Sequence, residues 1–245
     1  LLVILCMVFA RSAAMGFNRF IDRKIDARNP RTANREIPAG VISPSAALAF
    51  VIASSLLFIG CTWFINELCS LLSPIALLVI LGYSWTKRFT ALCHLVLGAG
   101  LSLAPIGAYL AVSGHFAVLP VLLSFAVFLW VSGFDIIYAL QDEEFDRSQK
   151  LHSIPAALGK KRALILSTIL HVFCALFILY FGYFGQFGLI FWIGAAVFLL
   201  LLTYQHFLVK PNDLSRVNLA FFTTNGIASV VFGVMVIIDV LLAKI

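Results

Sequence analysis

Runs of about 20 apolar residues recur along almost the whole chain, each parted from the next by a short polar stretch, and this leaves few folds open. A helix of that length crosses the hydrocarbon core of a bilayer while satisfying its own backbone hydrogen bonds. The runs lack the ten-residue alternation of an outer-membrane barrel. Of 245 residues, 62% are hydrophobic and only 11% charged, against about 25% charged in soluble domains. The chain is therefore read as one all-α integral membrane domain over 1–245, a multi-helix transmembrane bundle. Spanning segments are predicted near 1–18, 41–65, 68–86, 90–113, 116–141, 162–183, 187–208 and 217–242.

The cations support an alternating path. One side receives Arg19, Arg23, Lys24, Arg28, Arg31 and Arg35, then Lys87 and Arg88, then Arg147, Lys150, Lys160, Lys161 and Arg162, then Lys210 and Arg216; only Arg11 and Lys244 fall elsewhere. The positive-inside rule makes that side cytoplasmic, in the inner (plasma) membrane, with the C-terminus outside. The formal charge of +6 is accounted for by anionic lipid headgroups and an anionic substrate, without nucleic acid. Five cysteines without a C-x-x-C pair are read as small buried side chains. His94, His115, His171 and His206 lack metal-ligand spacing and are assigned to interfacial or packing roles, as Asn218 and Asn225 are assigned to interhelical hydrogen bonds.

Two acidic clusters interrupt the oily pattern, and both sit in the longest polar stretches, where function concentrates. Asn18, Asp22 and Asp26 recur every four residues and share a helix face, so their oxygens can converge on a hard divalent cation. Alternatively Asp22 and Asp26 pair with Arg19, Arg23 or loop cations on a solvated helix end. The second cluster is Asp135, Tyr138, Asp142 and Asp146, with Lys150 continuing the face and Glu143 and Glu144 pointing away into solvent. Asp135 lies within the apolar run that begins at Phe125, where a carboxylate costs about 3 kcal/mol unless it is paired or lines a wet cavity. Between the clusters stand Tyr83, Lys87 and Arg88 at another helix end. They read as a phosphate site, or as a positive-inside anchor. The two halves repeat this plan weakly.

These motifs resemble the UbiA superfamily of intramembrane prenyltransferases. Asn18-x-x-x-Asp22-x-x-x-Asp26 matches its first motif, and Asp135-x-x-Tyr138-x-x-x-Asp142-x-x-x-Asp146 its second. Tyr83-x-x-x-Lys87 and Arg31-Thr32-x-x-Arg35-x-x-Pro38 match two further elements. The stretch from Gly133 to Asp142 is most similar to the 4-hydroxybenzoate polyprenyltransferase branch. Leu151-His152-Ser153-Ile154-Pro155 and Asn218-Leu-Ala-Phe-Phe resemble its menaquinone variants acting through futalosine. The resemblance implies nine spanning helices, so one N-terminal helix is expected to be absent from this sequence. It also implies a central cavity open to the cytoplasmic side and to lipid.

The resemblance further implies a reaction in ubiquinone or menaquinone biosynthesis, the transfer of a polyprenyl group from an allylic diphosphate to a 4-hydroxybenzoate or dihydroxynaphthoate type of aromatic acid. Two Mg2+ ions would be held by Asn18, Asp22 and Asp26 and by Asp135, Asp142 and Asp146. Lys87, Arg88, Arg31, Arg35 and Lys150 would bind the diphosphate, with Asp22, Asp26, Asp142, Asp146, Lys87 and Arg88 catalytic. Tyr83 and Tyr138 would contact substrate. Arg11 is a candidate for the acceptor carboxylate, or else part of an interhelical pair. A cation- or proton-coupled transporter is the competing class, since intramembrane aspartates also mark ion paths. A CDP-alcohol phosphotransferase would need D-G and A-R elements around its aspartates, which this chain lacks.

Overall fold

A computed structural model describes residues 1–243 of the chain; Lys244, counted above among the outer-side cations, lies outside them. The described residues form α1 (Leu2–Asp26), α2 (Pro44–Trp63), α3 (Glu67–Thr86), α4 (Cys93–Ser113), α5 (Val118–Ala139), α6 (Glu143–Ser148), α7 (Ile154–Phe184), α8 (Leu189–Leu208) and α9 (Asn225–Leu242). A 3-10 turn at Leu140–Asp142 joins α5 to α6, and a π-helical turn at Leu219–Thr224 leads into α9. Eight helices among the described residues are long and apolar enough to cross a membrane, with α5, the 3-10 turn and α6 forming one of them. Leu56, Leu71, Val112, Leu200 and Val230 are each more than half exposed. Such an apolar exterior suits a lipid solvent. The chain is an integral, multi-pass membrane protein.

Two compact units are present, Leu1–Phe116 and Ala117–Ile245. In the first, α1 runs along α2 and α3, and α3 packs on α4. Gly16 lets α2 come close, since a Cβ there would meet Val51 Cγ2 at 3.0 Å. Polar residues at the helix ends set the boundaries. Ser43 Oγ accepts from Ala46 N at 3.2 Å just ahead of Pro44, the serine-proline start expected of a helix. Asn66 Oδ1 caps α3 through Cys69 N at 2.8 Å, and its Nδ2 donates to Leu110 O at 2.9 Å, tying α3 to the end of α4.

The second unit is built on an aromatic core of Phe181, Phe191 and Phe198 with Cys174, Ile178 and Ala195. Helices α5 and α7 approach closely. Ser167 Oγ donates to Gly133 O at 2.7 Å, and a Cβ on Gly133 would overlap His171 Nε2. Asp239, buried in α9, accepts from Gly188 N at 2.8 Å and Phe191 N at 3.2 Å. A carboxylate inside a span is thereby matched to the unsatisfied amides at the start of α8.

Three expectations change here. The segment expected over 162–183 begins at Ile154, because Ser153 Oγ caps Ala156 N at 3.3 Å ahead of Pro155; the helix then breaks at Gly159 (φ 77°, ψ 161°), so Lys160 to Arg162 start its second stretch. The first and fifth segments run on through their acidic clusters, to Asp26 and Ser148. Of the cysteines only Cys174 is buried, and the other four are half-buried.

Candidate active site

The first cluster is a continuous helix end. Asn18, Asp22 and Asp26 all lie on α1, and Asn18 Nδ2 donates to Asp22 Oδ2 at 3.2 Å. Both aspartates are 5% exposed. Arg88, just beyond α3, donates through Nη2 to Asp22 Oδ1 at 3.0 Å and to Ile21 O at 2.8 Å. Lys87, the C-cap of α3, stands within electrostatic reach of Asp22. The loop after α1 turns back over the helix end. Thr32 Oγ1 donates to Asp26 O at 3.2 Å, and Arg35 Nη1 to Asp26 Oδ1 at 2.7 Å. Asp26 Oδ2 is buried without a hydrogen-bond partner.

Of the two readings of this cluster, the structure shows the ion pairs, with partners other than Arg19 and Arg23. The aspartates are paired with arginines, but from Arg35 and Arg88 and in burial, not on a solvated face. Arg19 instead approaches Glu36 at 3.8 Å, and Arg23 donates to Phe20 O at 2.6 Å. Arg28 and Arg31 are exposed in the same loop, where Asn29 Oδ1 accepts from Arg31 N at 3.0 Å. Tyr83 is half-buried on α3, one turn before Lys87. Arg11 is exposed on α1, about 10 Å along the axis from Asn18 at 1.5 Å per residue.

The second cluster is not one helix. Asp135 and Tyr138 lie on α5, Asp142 ends the 3-10 turn, and Asp146 is buried on α6. A 3-10 turn winds about 20° more per residue than an α-helix, so the three residues at Leu140–Asp142 turn all that follows by roughly 60°. Glu143, expected in solvent, is consequently buried at 7% exposure and paired with Arg147 Nη2 at 2.8 Å and Lys160 Nζ at 3.7 Å. Glu144 is solvated, with its side chain 90% exposed. Lys150 does not extend the helix face: α6 ends at Ser148, and Lys150 is exposed with a left-handed backbone (φ 54°).

Tyr138 stacks on Phe221 of the π-helical turn, with ring centroids 4.1 Å apart and 27° between planes. Phe134 meets the same Phe221 edge-on at 5.3 Å. Phe221 appears in the sequence only within Asn218-Leu-Ala-Phe-Phe, with no contact foreseen, and its stack on Tyr138 spans 83 positions, which no local spacing encodes. The buried His171 and the half-buried His206 form a pair, Nδ1 to Nε2 at 2.7 Å, with His171 Nε2 3.1 Å from Trp130 O. Asn225 makes the interhelical hydrogen bond expected of it, accepting from Trp130 Nε1 at 3.0 Å.

Among the described residues, no three His, Cys, Asp or Glu side chains are grouped so that they could hold a metal ion by themselves. Magnesium does not ask for one, because it binds through one or two carboxylates plus waters and phosphate oxygens. The donors of Asn18, Asp22 and Asp26 are hard oxygens, and the orphaned Asp26 Oδ2 is a buried acceptor of the right kind. The residues present fit the ion.

The model of the UbiA prenyltransferase family matches residues 1–227. A 4-hydroxybenzoate octaprenyltransferase of Aliivibrio fischeri (strain MJ11) is 32% identical over 235 residues, covering 94% of this chain and 79% of that protein. One from Tolumonas auensis is 30% identical over 237 residues, covering 96% and 82%. Among solved structures, the apo structure of a UbiA homolog from Aeropyrum pernix K1 superimposes with a TM-score of 0.90 at 34% identity, over 98% of this chain and 88% of that one. A UbiA homolog from Archaeoglobus fulgidus, bound to GPP and Mg2+, shares the fold with a TM-score of 0.74 at 22% identity, over 96% and 85%. With the helix order, the motifs and these likenesses in agreement, the chain belongs to the UbiA prenyltransferase family and is an enzyme of that family.

Proposed function

We propose that this enzyme transfers a polyprenyl group from an allylic polyprenyl diphosphate to a ring carbon of an aromatic acid, with magnesium. The observation that carries the reading is the buried pair Asp22 and Asp26, neutralised by arginines and holding one carboxylate oxygen without a partner. Buried charges of both signs at a membrane helix end are costly unless a ligand uses them. A metal–diphosphate headgroup uses both.

When bound, magnesium supplies a Lewis acid for the diphosphate oxygens. One ion is assigned to Asn18, Asp22 and Asp26, and a second to Asp135, Asp142 and Asp146. Arg88, Lys87 and Arg35 bind phosphate oxygens and stabilise the charge of the leaving group, with Arg31 and Lys150 assigned to its periphery. Tyr83 and Tyr138 contact substrate, and Arg11 is assigned to the acceptor carboxylate. The apolar walls keep water from the allylic cation until the acceptor ring takes it. The relatives named as 4-hydroxybenzoate octaprenyltransferases support an aromatic acid as acceptor. The cation distribution supports a plasma-membrane enzyme whose site faces the cytoplasm.

The test is an assay of membranes carrying the protein with Mg2+, labelled geranyl diphosphate, and either 4-hydroxybenzoate or a dihydroxynaphthoate. The expected product has the mass of the acceptor plus the prenyl group less one hydrogen. The heavier yield identifies the acceptor class. Absence of pyrophosphate release and of prenylated product with every aromatic acid sinks the reading, as does solute uptake by proteoliposomes without covalent chemistry.

A further inference from the structure

A π-helical turn costs more than the α-helix it replaces and recurs at functional sites, so the turn at Leu219–Thr224 calls for a reason. Its register is held by side chains. Thr224 Oγ1 donates to Leu219 O at 3.2 Å, five residues back. Asn225 Nδ2 donates to Ala220 O at 3.2 Å, also five back, and to Phe221 O at 3.1 Å. The other end of the same amide, Asn225 Oδ1, accepts from Trp130 Nε1 on α5 at 3.0 Å. Asn225 is 7% exposed, so these bonds are made in a dry setting where an unmet amide is expensive.

The turn is therefore fastened to α5 twice. Two helical turns beyond Trp130, Phe221 lies nearly parallel on Tyr138. Between the fastenings, Phe134 meets Trp130 edge-on at 5.4 Å and Phe221 at 5.3 Å. Trp130, Phe134 and Tyr138 are spaced by four, so they form one stripe along α5. Tyr138 lies three residues after Asp135 and four before Asp142, at the point where the aromatic stripe meets the acidic one. A strictly α-helical continuation would rotate Phe221 relative to Asn225 and lose either the stack or the bond to Trp130.

We propose that Phe221, set by the π-turn and its Asn225–Trp130 lock, is a positioning residue that holds the Tyr138 ring as a dry wall beside the ionising substrate, and so decides whether the allylic cation is taken by the aromatic acceptor or by water. The proposal rests on the prenyl-transfer reading above. The C–O bond of the allylic diphosphate breaks with its electron pair leaving on pyrophosphate. The cation then accepts electrons either from the acceptor ring, which loses a proton to restore aromaticity, or from a water oxygen, which loses a proton to give the prenyl alcohol. A ring pinned by a stacked neighbour excludes water from its own position and presents its π-face to positive charge.

The experiment measures a ratio, prenyl alcohol to prenylated acid, in membranes supplied with Mg2+, labelled geranyl diphosphate and whichever aromatic acid the parent protein prenylates. A ratio does not depend on how much protein folds. Phe221→Leu is expected to raise it about three- to tenfold, the size of one lost aromatic pair. Asn225→Leu is expected to raise it about twofold, because it frees the turn without removing the ring. Phe221→Tyr keeps the stack and should restore the parent ratio. Phe191→Leu, in the core of the second unit, serves as the measure of plain structural damage and should lower yield at an unchanged ratio.

Phe221→Leu and Asn225→Leu ratios equal to the parent's overturn the proposal, and so does an equal rise in Phe191→Leu. If the parent forms neither alcohol nor prenylated acid, the prenyl-transfer reading itself fails, which is a different outcome from products formed at a constant ratio.

Discussion

The two acidic clusters carry the same four-residue spacing and are built in different ways. Asn18, Asp22 and Asp26 ride one unbroken helix, with arginines from two separate loops brought to the aspartates. Asp135, Asp142 and Asp146 are divided among α5, a 3-10 turn and α6, where two of the neighbouring cations, Arg147 and Lys160, are taken up by Glu143. A spacing of four in a sequence reports a shared face only while the helix remains α-helical. The neutralisation of a cluster depends on which loops return to it, which no local spacing encodes.

The largest effect should come from removing one carboxylate of either cluster. Asp22→Ala and Asp142→Ala should each slow pyrophosphate release on the order of a hundredfold or more. Equal losses would make the two clusters equal partners despite their different architecture. Release at the parent rate in either variant would remove that cluster from the chemistry.

Next is the approach of α5 to α7, on which only the second cluster's helix depends. Gly133→Ala places a Cβ where His171 Nε2 stands. Either the helices part or His171 gives up its hydrogen bonds, at a cost of about 1–3 kcal/mol, visible as a lower Tm in detergent. An unchanged Tm would show that His171 swings aside freely.

The arginines of the first cluster should differ from each other. Asp26 has Arg35 on one oxygen and no hydrogen bond on the other, whereas Asp22 also holds Asn18. Arg35→Gln is expected to cost about 1–2 kcal/mol and Arg88→Gln about 1 kcal/mol or less, both reduced from fully buried pairs by the partial exposure of the guanidinium groups. In both, added Mg2+ should raise Tm more than in the parent, because a carboxylate has lost its counter-charge. Equal stability of all three proteins without metal would show that the ion pairs do not matter.

The smallest effect lies in the loop after α8. The hydroxyl and amide of Ser215 hydrogen-bond the Asp213 carboxylate at 2.6 and 3.0 Å and hold it below the usual aspartate range. Because the folded value is the lower one, this support is complete at neutral pH. It is lost as pH falls through the depressed value. Asp213→Asn should therefore speed amide exchange in residues 210–216 at pH 7, with the difference from the parent closing in acid. A difference independent of pH would rule out the carboxylate as the cause.

Much of the architecture was legible because bilayer physics is read one residue at a time. Apolar length marks the spans, and the Arg and Lys residues mark the loops. The span read near 41–65 is α2, Pro44–Trp63. The burial of Glu143 was not legible, because three residues of 3-10 winding turned it inward. Lys150 likewise left the expected face when the helix ended two residues earlier. Asn225 was expected to bond between helices, yet its partner Trp130 lies 95 positions away, a pairing that spacing along one helix cannot reveal.

The sequence alone determined that the chain must be helical and membrane-embedded, and which carboxylates could share a helix face. Hydrophobic length, charge and period are local properties, and the bilayer acts on them directly. The tertiary structure decided which arginine meets which aspartate, how the second cluster is wound, and that Phe221 lies on Tyr138. These are contacts between residues far apart in the chain. Their geometry follows from how whole helices pack and where a turn changes its winding.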